Sequence, residues 1–533
     1  MKKLITVHLL LILSATFIFS SCRKPFDNIN IVVEPQVIKY TALLKIVDAS
    51  DGSEPSGSTV SFSGTNGSSI YDLAGKKTFT VNRGFVSFGL IPSKKPVVSS
   101  PVDVSVIISA PGYLSVSKPV SFTAGEFEQA IEVQLIKVSA PTKGVSVAAL
   151  NYSLVNNATS NNITFKTPLT AGKEEFTSVD ISSGTKFKDK DGNIISGTAL
   201  NVQAVNFDTR NAGSLSAFPG SLTPKAVKLK DGTQAAGTFI TAGFSSIDFK
   251  NGSTVVKSFD RPIKLTMTVD PELINPETQL PVKDGDQIPV WSYTPEDGLW
   301  KFESTATFKN GNGTLKVEFN TTHLTWYNIA WYSKACSTSN SFKIAGASEL
   351  NDSYVVQMFS RNSSQPLVTA YVYGSSDSSF NLHNIPNMDL KLRIYRASEF
   401  NSKAYYSGTG TQTTNFTETD YMKLCTTGGS INFPKDTRQT ISFEIVGVCP
   451  KKNVELRPSG YIFYKDVTSG SVDASYHSAY IEKGKFVTKD LKLGHKYEVL
   501  SYYGSSSFTF TKVLEFTRYN ERINLKGSYC DGF

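Results

Sequence analysis

Residues 263–269 place Ile263, Leu265, Met267 and Val269 at every second position, and residues 102–108 do the same with Val102, Val104, Val106 and Ile108. Alternation with period two gathers the apolar side chains on one face of a strand, so a chain that repeats it must stack sheets to bury those faces. Asp191-Gly192, Asp231-Gly232 and Asn251-Gly252 supply hairpin turns between such runs. Composition agrees: 34 Phe and 23 Tyr stand against 5 Met, and only 19% of residues are charged. That bias favours strands and argues against a helical bundle, a coiled coil or a helical repeat. At roughly 100–200 residues per domain, 533 residues imply three to five domains.

One strand–turn–strand grammar occurs three times. Gly84-Phe85 is followed by Leu90, Ile91-Pro92 and the alternating run from Val102. Ser379-Phe380 leads to Ile385-Pro386 and then Leu390, Leu392 and Ile394. Lys485-Phe486 leads to Leu491, Tyr497 and Val499. Such recurrence marks related small β units. The copies resemble the carboxypeptidase regulatory-like (transthyretin-like) β-sandwich. In the first, Ala110-Pro111-Gly112-Tyr113 is similar to that family's Gly-Tyr turn, with Ile131, Val133 and Leu135 as the closing strand. The resemblance covers about 33–138 and, without a clear Gly-Tyr turn, 337–430 and 440–530. It implies a structural or binding module with no peptidase activity.

All four tryptophans, Trp291, Trp300, Trp326 and Trp331, fall within 41 residues. The text around them runs Ile288-Pro289-Val290-Trp291, Gly298-Leu299-Trp300 and His323-Leu324-Thr325-Trp326-Tyr327-Asn328. Together with Phe218-Pro219-Gly220 and Ala242-Gly243-Phe244, this resembles a Trp-rich β segment shared by cartilage intermediate layer proteins and bacterial surface lipoproteins, over roughly 175–330. The resemblance implies an extracellular β module and brings no catalytic residue. Two arrangements of the rings are open. They are plugs between sheets, with each indole N–H and His323 hydrogen-bonded, or they form an exposed platform for sugar rings or a partner's apolar side chains. On the second reading Trp291, Trp300, Trp326, Trp331 and His323 are the candidate ligand-binding residues.

At the N-terminus, Lys2 and Lys3 precede an apolar stretch from Leu9 to Phe19, too short to span a bilayer and typical of a secretory signal. It closes on Phe19-Ser20-Ser21-Cys22, which resembles the lipobox of bacterial lipoproteins and implies cleavage before Cys22 and acylation of that residue. Cleavage leaves 52 basic and 46 acidic residues, a net charge of +6. No Lys/Arg run is long enough for a nucleic-acid footprint. Four cysteines remain, Cys336, Cys425, Cys449 and Cys530, an even number suited to disulfides in an oxidising compartment. Of three connectivities, spacings of 89 and 81 residues favour Cys336–Cys425 with Cys449–Cys530; Cys425–Cys449 with Cys336–Cys530 is the alternative.

No local signature of catalysis is present: there is no HExxH, no G-x-S-x-G and no phosphate-binding loop. The sequence nominates no cofactor and no metal ligand; Asp189-Lys190-Asp191-Gly192-Asn193, Lys283-Asp284-Gly285-Asp286 and Pro295-Glu296-Asp297-Gly298 read as turns rather than calcium loops. The expected fold is all-β, several Ig-like or transthyretin-like β-sandwich domains in tandem. The expected layout is a signal peptide (1–21), a lipidated Cys and tether (22–32), a sandwich (33–140), a larger Trp-rich β domain (141–335) and two sandwiches (336–430 and 431–533), strung out as rigid modules. The expected role is a surface-exposed outer-membrane lipoprotein that binds or adheres to a polysaccharide or surface protein. A structural subunit of an outer-membrane assembly and a glycoside hydrolase are the alternatives.

Overall fold

The computed structural model describes residues 31–33, 38–97, 100–169, 175–295, 298–311, 313–336, 340–345, 352–361, 363–374, 379–382, 385–426, 428–452, 454–469, 476–503, 506–524 and 530. The signal segment, Cys22 and His383 lie outside them. The fold is all-β and multi-sheet, with short helices such as Ala212–Ser216 and Ser402–Ser407.

Three units share one strand order. In the first, Thr41–Asp48 pairs antiparallel with Phe85–Leu90 and parallel with Glu128–Leu135, while Thr59–Ser63, Val102–Ser109 and Val116–Phe122 make the facing sheet. In the third, Asn340–Ala345 pairs antiparallel with Ser379–Leu382 and parallel with Gly429–Asn432, facing a sheet built on Asp352–Ser360 and Asp389–Arg396. In the last, Ile441–Cys449 pairs antiparallel with Lys485–Thr488 and parallel with Arg518–Asn524, facing Gly460–Asp466 and Lys496–Tyr503. The repeated sequence grammar therefore marks one event: the chain leaves the first sheet and crosses to the second. Each unit buries its own apolar rows between its two sheets. Cys336 is bonded to Cys425 and Cys449 to Cys530, one bridge within each C-terminal unit.

The middle region is one continuous 15-stranded sheet folded back on itself. The long strand Leu299–Gly311 makes the fold: its first part pairs with Gln287–Thr294, and its last residues, Phe308–Gly311, pair with Thr314–His323 in the opposite layer. Val290 pairs with Ser304 while the next residue, Trp291, pairs with Phe302, so Glu303 is an extra residue, a β-bulge. The bulge reverses which face the even-numbered positions occupy. Trp300 and Phe302 look to the outer face of the layer, and Ala306 and Phe308 look into the core between layers. A second bulge at Ala242, between Thr241 and Gly243, does the same for Gly237–Asn251: Phe239 and Phe244 share the outer face although five residues apart.

The units are packed together, in contrast to the strung-out modules expected from sequence. Strand alternation shows how. On Thr41–Asp48 the even residues Ala42, Leu44 and Ile46 fill the first unit's own core, so Leu43 points outward, and with Phe85 it meets Tyr461, Phe463 and Leu500 of the last unit. On the opposite sheet Val104, Val106, Val116 and Val120 point inward, which leaves Ser105 and Ser117 facing the middle region, where Ser117 Oγ accepts a hydrogen bond from the Tyr293 hydroxyl at 2.9 Å. The first sandwich is thus clasped between the last unit and the middle region. Nor is the tether of 22–32 wholly free: Ile31–Val33 is a strand of the last unit's sheet, paired in parallel with Val454–Leu456.

The third unit is held beside this stack by the crossing of helices Ala212–Ser216 and Ser402–Ser407. They touch at Gly213, where a Cβ would lie 2.3 Å from the Tyr406 carbonyl oxygen. Gly213→Val is expected to lift the third unit away while leaving the sheets intact. Small-angle X-ray scattering should show a larger radius of gyration with an unchanged far-ultraviolet spectrum; an unchanged radius would contradict this packing.

Candidate functional site

The four tryptophans are built into sheets. Trp291, Trp300 and Trp331 are 3%, 1% and 3% exposed, and Trp326 is 9% exposed. The stacking platform left open by the sequence is therefore not the arrangement found, because a sugar ring needs an uncovered aromatic face. Trp291, Trp300 and Trp326 share the outer face of one layer, while Trp331 points the other way, into the core between layers, against Phe308.

Trp300 shows how the sequence motifs interlock. Phe218 stacks on it with ring centroids 5.0 Å apart, the Pro219 carbonyl accepts its indole N–H at 2.9 Å, and Tyr293 packs at 5.2 Å. Gly220 has φ +71°, and a Cβ there would press on the Tyr293 ring at 3.0 Å. Phe244, from the Ala242-Gly243-Phe244 bulge, lies edge-on to Phe218 and stacks on Phe207. The Trp291 indole donates to the Ala330 carbonyl at 2.9 Å. Trp331 corrects the expectation that every indole is satisfied: its buried Nε1 has no hydrogen-bond partner, because the surrounding core is apolar. This aromatic layer is completed by Ala49, Leu114 and Ile136 of the first sandwich, so it is a seam between two units.

His323 lies at the end of Thr314–His323, beside the Tyr327 ring with centroids 5.8 Å apart and with Nε2 3.6 Å from Glu303 Oε1. Its carbonyl accepts hydrogen bonds from the Tyr327 and Thr321 hydroxyls, and burial raises the Tyr327 phenol far above its ordinary range. At Asp189 the carboxylate accepts the backbone N–H groups of Asp191 and Asn193, both at 2.9 Å, and these bonds hold its pKa low; the segment is a turn. Lys283-Asp284-Gly285-Asp286 is also a turn, closed by the Asp286 N–H to the Lys283 carbonyl.

A concavity between units has no counterpart in the sequence motifs. A cavity of about 490 Å³ opens where the first, third and last units meet, within the range of about 300–1,000 Å³ usual for small-ligand sites. The first sandwich contributes Lys45, Asp51 and Glu132, the third unit Tyr371, Glu399, Phe400 and Lys403, and the last Tyr464, Tyr476, His477 and Asp490. Glu132 is fixed by Lys45 at 3.0 Å, by Gln134 at 2.7 Å and by Ser402, across the unit boundary, at 3.3 Å. Tyr464 stacks on His477 with centroids 5.7 Å apart and donates to Asp490 at 3.4 Å. Arg83 of the first sandwich donates to the Tyr476 hydroxyl at 2.6 Å. Behind this wall Arg438 bridges Asp352 and Asp436, each at 2.9 Å, and Asp490. The result is aromatic rings among carboxylates and ammonium groups, with Lys45 paired to Glu132, Asp490 to Arg438 and Tyr476 to Arg83. Within their own units Tyr464 and Phe400 pack in apolar clusters, and the charged residues read as ordinary surface.

No family model matches the chain, and no curated protein matches it. Among solved structures it is similar to the TIE protein of Bacillus anthracis, at 12% identity and TM-score 0.13 over 84% of this chain and 57% of that one. It is also similar to the minor pilin of Streptococcus agalactiae, at 12% identity and TM-score 0.14, over 35% of this chain and 95% of that one. For the major pilin subunit of Bacillus cereus the values are 9% and 0.14, over 91% and 98%. The chain thus spans a little over half the length of the Bacillus anthracis protein. Its architecture is established by its own strand registers.

The junction that forms the cavity carries a pH dependence. Glu128, on the first sandwich, is pushed up to about 8, chiefly by burial and also by Glu482 of the last unit. A carboxyl whose folded pKa lies above its unfolded value of about 4.5 favours folding fully below pH 4.5 and loses that contribution as pH rises through 8. Wild type should lose on the order of 2 kcal/mol between pH 5 and 8.5 from this group, after allowance for its partial exposure. Glu128→Gln should flatten that part of the stability curve in urea titrations at stepped pH. Parallel curves for the two proteins would refute the assignment.

Proposed function

We propose that this chain is a lipid-anchored cell-envelope protein, exported on its signal peptide and acylated at Cys22, whose packed β modules (33–140, 141–335, 336–430 and 431–533) bind a polysaccharide or a surface protein. The role is adhesion or retention rather than catalysis. One observation carries the binding reading: the cavity at the junction of three units, with Tyr476, Phe400 and Tyr371 beside Lys403, Glu132 and Asp490. Carbohydrate recognition needs aromatic faces for the C–H faces of a ring and charged or amide groups for its hydroxyls. The Glu132 carboxylate, already held by Lys45, Gln134 and Ser402, is a preorganised acceptor, so little ordering entropy is lost on binding.

The buried tryptophans support the same division of labour. Trp291, Trp300 and Trp326 fasten two units together and leave recognition to the junction. A saccharide of a few rings, or the glycan of a surface protein, matches the size of the cavity.

The test is calorimetric titration of residues 23–533 with a panel of envelope and host polysaccharides, followed by Tyr476→Ala and Lys403→Ala. Micromolar binding of one polysaccharide, weakened at least tenfold by each substitution with an unchanged melting temperature, is the expected result. Binding indifferent to both substitutions would remove the cavity from the account. A chain that binds no free glycan but co-purifies with envelope proteins would be a structural subunit, and release of reducing ends would make it a hydrolase.

A further inference from the structure

The route from the lipid anchor into the fold determines which unit faces the membrane. Ile31–Val33 runs parallel to Val454–Leu456, with Ile31 beside Val454 and Val33 beside Leu456. On its other side Val454–Leu456 pairs with Gly447–Cys449, so Ile31–Val33 adds the outermost strand to the last unit's sheet. Because the pairing is parallel, the chain that leads back to Cys22 leaves the sheet at the end where Pro450–Lys452 lies. Eight residues, 23–30, separate Cys22 from Ile31. Fully extended, that tether reaches about 30 Å.

The same end is mechanically closed. Cys449, one residue before Pro450, is bonded to Cys530, and both pack with Val454 and Leu456 in a small core. The C-terminal strand reaches this end too, Asn524 pairing with Val448. Pro450–Lys452 presents two exposed lysines, Lys451 and Lys452, and no acidic residue, and the tether itself begins Arg23-Lys24. Positive charge at the tether exit suits anionic headgroups within a Debye length of about 8–10 Å.

We infer that the last unit in sequence is the membrane-proximal one, seated on lipid headgroups through the Pro450–Lys452 end, although the chain is anchored at its N-terminus. The inference rests on acylation of Cys22, proposed above.

The experiment uses the full lipidated chain in vesicles of phosphatidylethanolamine and phosphatidylglycerol that carry a headgroup acceptor dye. A donor is placed on a single engineered cysteine, either Lys451→Cys or Asp191→Cys in the exposed middle-region turn. Transfer from position 451 should exceed that from position 191 at least threefold. Val32→Pro, which removes a strand N–H and breaks the added pairing, should shrink that difference towards none. Equal transfer from the two positions, or a difference untouched by Val32→Pro, would overturn the orientation while leaving the anchor intact. Failure of the protein to float with vesicles, with no acyl mass on the Cys22 peptide, would overturn the anchor and the orientation with it.

Discussion

The closure of Trp300 holds the rest of the architecture in register. Its indole is covered by Phe218, braced by Tyr293 and hydrogen-bonded to Pro219, and Tyr293 in turn donates to Ser117 of the first sandwich. Aromatic side chains each bury about 150–250 Å², and offset or edge-on pairs add about 0.5–1.5 kcal/mol beyond that burial. A layer of such rings, shared with Ala49, Leu114 and Ile136, fixes one unit to another far more firmly than a flexible linker could. With the first sandwich held there, its other sheet presents Leu43 and Phe85 to the last unit, and the cavity forms where the third unit closes the side.

Much of the strand pattern was legible because period-two alternation is a local property. The three repeats and the all-β class can be read from residue types and spacing, while the Phe218-Pro219-Gly220 and Ala242-Gly243-Phe244 segments stand out only through the resemblance to the Trp-rich β segment. The direction of the tryptophans is another matter. Positions 300, 302, 304, 306 and 308 keep an unbroken spacing of two, yet the bulge at Glu303 sends Trp300 and Phe302 to one face and Ala306 and Phe308 to the other. Nothing local in the residue pattern marks Glu303 as the extra residue, since what fixes it is pairing with a neighbouring strand.

Contacts between distant segments were hidden for a related reason. Ile31–Val33 looks like the end of a tether, and its partner lies more than 400 residues away. The lining of the cavity comes from three units, and its charged side chains taken alone are those expected of a solvated surface. Glu132 illustrates this: on its own strand it is one of four polar positions, and Lys45, Gln134 and, from the third unit, Ser402 make it a fixed acceptor. A site built by packing modules has no linear motif.

The central claim is that the tryptophan cluster is a seam joining units rather than a surface for ligands. Because all four indoles lie within residues 291–331, the intrinsic fluorescence of the whole chain reports on that seam, through Trp291, Trp300 and Trp326, and on the core behind it, through Trp331. Acrylamide quenching of residues 23–533 tests it most directly. Blue-shifted emission that resists the quencher and is unmoved by a bound polysaccharide is the result the account requires. Red-shifted emission that acrylamide readily quenches, and that a polysaccharide protects, would mean that the rings face solvent and the seam does not exist.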